Sequence, residues 1–176
     1  MRLPTTAVAA LLVLLAVPAL GAVPGWFQHH MEYMAAEGGR WITSNAPWVS
    51  DDEPFDAYGM EWSFSRTGTS LVGRLYGFRD GEEVATFWTF QEFWHPGENR
   101  AVVTQIGLGA QVGTGVIDSV GVNETRAVQT FYYMEGVTEQ IGHLAVETDS
   151  LVTTSFSIDE DGTWTERRRY VWHRDR

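Results

Sequence analysis

Beyond Gly38 the chain alternates. Between 59 and 66, Met60, Trp62 and Phe64 interleave with Glu61, Ser63 and Ser65, and a period of two gives a strand one dry and one wet face. Comparable runs cover 40–45, 70–78, 83–94, 100–108, 112–120, 125–134, 137–147, 151–158 and 163–173. Turn signals divide them. Arg79-Asp80-Gly81 and Asp159-Glu160-Asp161-Gly162 both end in Asp-Gly, which supplies the positive φ angles of a tight hairpin. Short connections make successive strands antiparallel neighbours. The pattern predicts an all-β fold: an antiparallel up-and-down (meander) barrel of about 8–10 strands, since closure removes exposed sheet edges. A small closed barrel either fills its interior with side chains or holds one small ligand.

Two stretches break the alternation. Trp26, Phe27, His30, Met31 and Met34 recur at helical spacing before Gly38-Gly39, which predicts one short N-terminal helix able to plug a barrel end. The segment 46–56 carries two prolines and the acidic run Asp51-Asp52-Glu53, so it reads as a loop. In the run 83–94, Val84, Thr86, Trp88 and Phe90 mark one face and Ala85, Phe87, Thr89, Gln91 and Phe93 the other. Apolar side chains on both faces call for a cover on the outside, and a homodimer is one way to supply it.

Upstream, Met1-Arg2, an apolar run from Ala7 to Leu20 and the small residues Ala19, Gly21 and Ala22 describe a cleavable secretory signal peptide. The expected organisation is a leader over 1–22, a helical plug over 23–38 and a barrel domain over 39–176, exported to the periplasm or secreted. No later run is apolar for the 18 or so residues that a spanning helix needs, so no stable membrane insertion is expected.

Composition narrows the chemistry. The chain has no cysteine, which leaves stability to packing and excludes thiol nucleophiles and cysteine metal sites. All 12 basic residues are arginine, so lysine Schiff bases and a phosphate-loop lysine are excluded as well. A net charge of −11 opposes nucleic acid and anionic surfaces.

Gly39-Arg40-Trp41, after the helix and opening the first strand, resembles the Gly-x-Trp signature of the lipocalin and wider calycin group. The resemblance implies a lipocalin-like barrel, like that of bacterial exported proteins of unknown function. It also implies that Trp41 packs across the barrel floor and that an arginine of the last strand stacks on it. Among Arg167-Arg168-Arg169, Arg168 is the expected partner, because alternation puts it on one face with Trp164, Tyr170 and Trp172. The Thr-Asp-Tyr element of lipocalins is not reproduced, since Thr148-Asp149 is followed by Ser150.

Eight tryptophans, nine phenylalanines and six tyrosines are the strongest positive signal. Core filling and the lining of a pocket use the same residues. Trp62, Tyr76 and Trp88, with Gln105, Gln129 and His143 as orienting polar groups, are the expected ligand-binding wall for a small hydrophobic or aromatic molecule. Two residues are candidates for a general base should the barrel be an isomerase- or cyclase-type enzyme: Glu92, among bulky apolar neighbours, and His143, alternating with Ile141 and Ala145. An ion pair of Glu92 with Arg74 is the plainer expectation for the carboxylate. His143 is also the candidate axial ligand of a haem, the one cofactor alternative. His29, His30 and Glu32 share a helix but read as a solvated helix start, and no metal site is expected. His95 reads as a turn residue before Pro96-Gly97. No Gly-x-Ser-x-Gly, phosphate loop or His-Glu-x-x-His occurs.

Overall fold

The structure, a computed structural model, describes residues 22–134, 136–147 and 150–176. The expected leader over 1–22 lies outside them except for Ala22, as do Thr148 and Asp149. Helix α1 (Gly25–Ala35) precedes ten strands: β1 (Arg40–Ser44), β2 (Ala57–Phe64), β3 (Ser70–Arg79), β4 (Glu82–His95), β5 (Arg100–Gly107), β6 (Val112–Gly121), β7 (Glu124–Met134), β8 (Gly136–Val146), β9 (Ser150–Ile158) and β10 (Trp164–Arg174). Each strand pairs antiparallel with the next, and β1 pairs with β10 to close the barrel. The meander barrel read from the alternation is the fold.

The closing seam is short. Only Trp41↔Arg174 and Ile42↔His173 are in register there. Side chains reinforce it: Thr43 Oγ1 donates to Val171 O at 2.7 Å, and Arg40 pairs with Asp175 at 2.9 Å. The plug helix adds more. Phe27, His30, Met31 and Met34 follow an i, i+3, i+4, i+7 pattern, and all four are buried against one end of the barrel. Gly39 ends this segment at φ 68°, and a Cβ there would stand 1.9 Å from Trp62 O. Only glycine fits both the turn and the approach.

Trp41 is fully buried and donates from Nε1 to Met34 O at 3.1 Å. The arginine over its ring is Arg174, at 3.7 Å, and not Arg168. Arg174 also donates to Tyr33 O and Ala36 O, the carbonyls at the helix end that already accept the N–H groups of Ala36 and Gly39. The reason is register: Arg174 is the β10 residue directly opposite Trp41, whereas Arg168 lies farther along the strand. Between Glu166 and Arg168 the pairing with β9 skips Arg167, and this moves Trp164 to the outer face, where it packs on Phe156. Beyond the bulge, Arg168, Tyr170, Trp172 and Arg174 share the inner face, and Arg174 is the member that reaches the floor.

Bulges reorganise β4 as well. The register with β3 skips Phe87 between Leu75 and Tyr76 and skips Val84 between Gly77 and Phe78. Phe87 and Trp88, neighbours in sequence, therefore both border the interior. Outside, a single register row runs Phe93, Val102, Val116, Val128, Ile141, Phe156 across β4 to β9. Part of the two-faced apolar pattern thus belongs to the interior through the bulges, and the rest forms this outer row.

Candidate functional site: the barrel interior

The barrel encloses a cavity of about 580 Å³, above the size of roughly 300 Å³ at which ligand pockets begin. Its floor is the helix, through His30 and Met34, and Glu53 of the 46–56 loop borders the other end. A second hollow of about 710 Å³, lined by β8, β9, β10 and the turn at Asp159-Glu160, shares Gln140, Ser155 and Arg168 with it.

Aromatic side chains make up one part of the wall. Trp62 stacks on Phe90 with ring centroids 5.2 Å apart, and Trp88 meets Phe131 edge-on at 5.7 Å. Inward glycines on neighbouring strands receive these rings. A Cβ at Gly73 would stand 2.5 Å from Trp62, and one at Gly107 would stand 2.7 Å from Trp88. The rings lie flat on the wall and leave the centre open. The other part of the wall, from β5 to β8, carries Gln105, Gln129 and Gln140.

Two ion pairs mark the two ends. At the floor, His30 Nε2 and Glu92 Oε2 are 2.7 Å apart; the side chains are 7% and 11% exposed, and Phe27 stacks on the imidazole. Near the mouth, Arg168 holds Glu53 through both guanidinium nitrogens, Nη2 to Oε2 at 2.5 Å. Tyr58 donates to the same carboxylate at 2.5 Å, and Tyr170 donates to Asn45 Oδ1 at 2.9 Å. The Arg168 hydrogen bonds hold the Glu53 carboxyl below its ordinary range, against the opposing effect of burial. Burial, more than the Glu53 carboxylate, pushes the Tyr58 hydroxyl up.

Of the expected wall residues, Trp62, Trp88, Gln105 and Gln129 do line the cavity. Tyr76 does not. Its ring lies on the outer face, covering Gly59 and stacked under the Arg74 guanidinium at 4.3 Å. His143 borders the cavity, yet Gly142 and Leu144 are the β8 residues in register with Ala127 and Thr125 of the inner face. Alternation puts the His143 ring outside, where Nε2 stands 3.6 Å from Glu124. The interior therefore receives neither a base nor a haem ligand from His143. Glu92 does face inward, but its partner is His30; Arg74 binds Glu61 and Glu83 on the outside. Arg168 lines the cavity instead of locking the floor.

Sequence reasoning missed His30 as the partner of Glu92, Arg174 at the floor, and Glu53 with Tyr58 and Tyr170 at the mouth. One signal was present. A histidine inside the apolar stripe of a plug helix needs a buried partner. Among the described residues, no group of three or more potential metal ligands occurs. The chain matches no family model and no curated protein.

Proposed function

We propose that this barrel is an exported container for a small, largely apolar aromatic molecule, acting as a carrier or a sensor. The observation that carries the reading is the interior cavity of about 580 Å³, lined by rings that glycines hold flat. A side-chain-filled barrel has no such volume. The leader-like composition of residues 1–22 supports export, and the lipocalin resemblance agrees with a container. The test is a titration of the purified protein with 1-aminoanthracene, a neutral fluorescent tricycle, followed through tryptophan emission. One saturable site with quenching is expected. Absence of saturable binding across a panel of neutral bicyclic and tricyclic aromatics overturns the reading.

One observation favours a second reading, an isomerase- or cyclase-type enzyme. His30 and Glu92 are buried, directly paired and in contact with the cavity, the arrangement of an oriented carboxylate base. Molecules extracted from the protein after incubation with its bound aromatic distinguish the two. Conversion by wild type and not by Glu92→Gln favours the enzyme; recovery of unchanged ligand from both favours the carrier.

A further inference from the structure

The polar groups of the cavity differ sharply in how they are used. Every charged side chain that points into it is already paired with another: His30 with Glu92, and Arg168 with Glu53. The amides are not. Among the described residues, the side-chain amides of Gln105, Gln129 and Gln140 find no protein partner, and Gln129 Oε1 is buried without one. An amide oxygen left this way is unfavourable, and a donor that reached it would relieve the cost.

Their placement is regular. On the inner face Gln129 is in direct register with Gln140 on β8 and with Gly115 on β6. Gln105 is in register with Gly113, two residues along the same strand. Beta6 presents only backbone at these two positions. A Cβ at Gly113 would stand 3.0 Å from Gln105 Cγ, and one at Gly115 would stand 2.8 Å from Gln129 Cγ. The Gln105 and Gln129 side chains thus lie against the β6 glycines from the two flanking strands, with Gln140 in register beside Gln129. Phe90 and Phe131 are the register neighbours of Gln105 and Gly113, so aromatic surface adjoins the amides directly.

We infer that the cavity takes a neutral, flat heteroaromatic molecule carrying an amide-like edge, an N–H beside a carbonyl, which the glutamine cluster reads. This rests on the container reading and names its ligand class. A primary amide offers a donor and an acceptor side by side and matches such an edge in two hydrogen bonds, as glutamine does at the edge of adenine. Neutrality follows from the ion pairs, since a ligand charge would find no unpaired counter-charge inside and would meet a strongly acidic protein outside.

The test compares 6(5H)-phenanthridinone, a flat lactam, with phenanthrene, its hydrocarbon counterpart, and with the N-methylated lactam. Tryptophan quenching is the readout. The lactam binds about tenfold more tightly than either analogue, the difference that one well-placed pair of hydrogen bonds supplies. In the triple variant Gln105→Leu, Gln129→Leu, Gln140→Leu the preference disappears, and the three probes bind alike. Equal binding of all three probes by wild type overturns the inference and leaves the container standing. A lactam preference that survives in the triple variant overturns it too. Failure of every probe to bind wild type overturns the container reading itself. Because N-methylation probes the unaltered protein, the answer does not depend on the variant folding.

Discussion

The two ends of the barrel each spend one ion pair, and they spend it differently. At the floor, His30 and Glu92 are buried from both sides, and the helix above them is fixed by Trp41 and Arg174. Near the mouth, Glu53 belongs to a loop and Arg168 is 37% exposed, so the pair clasps a connection at the surface. A buried pair must stay intact, because either partner alone is an uncompensated charge. An accessible pair can part at modest cost, because water replaces what is lost. The floor is therefore the fixed end, and the mouth is the looser one, the end a ligand would pass in the proposed container.

Breaking the floor has the largest expected effect. Trp41→Ala removes a fully buried indole and lowers stability by about 3–5 kcal/mol, measured by urea denaturation. His30→Ala strands the Glu92 charge at a cost of about 3–5 kcal/mol. The double variant His30→Leu, Glu92→Leu sharpens the point. It recovers most of that loss if the pair is structural, since apolar replacements of a buried pair are often neutral.

The mouth is weaker. Glu53→Gln costs about 1–2 kcal/mol, the worth of charge-assisted hydrogen bonds at a partly wet site, and it speeds ligand exchange in stopped-flow quenching. Acid acts in the same direction. The Glu53 carboxyl sits below its ordinary range when folded, so its contribution is complete above the unfolded value of about 4.3. The contribution fades as pH falls from there through the lowered folded value. The Glu53→Gln variant should lose this component of the acid dependence, and a melting-temperature series from pH 6 to pH 2.5 on both proteins measures it. The smallest effects belong to the outside. Tyr76→Phe and His143→Asn leave aromatic-probe affinity unchanged, whereas a several-fold loss would place their side chains inside.

That last pair shows where the sequence was legible. Alternation and the Asp-Gly turns specify the strands, and Asp80 and Gly81 do take φ 54° and 79°. The same alternation assigns faces correctly wherever pairing is regular, as at Trp62, Gln105 and Gln129. It fails at the bulges. An inserted residue shifts the face of everything beyond it, which is why Phe87 borders the interior beside Trp88 and Trp164 lies outside. Nothing in the residues around 84–88 or 166–168 announces the insertion. Long-range pairs were illegible for a different reason. His30 and Glu92 are separated by 62 positions and Glu53 and Arg168 by 115, and only the closed barrel brings them together.

The central claim is that the interior is a ligand site. Its most direct test is a crystal soaked with 9-bromophenanthrene and measured at the bromine absorption edge. The account predicts one dominant anomalous peak inside the barrel, between the Trp88 and Phe131 rings and the glutamines of β5, β7 and β8. An interior without bromine, whether filled by collapsed side chains or by water alone, would contradict it.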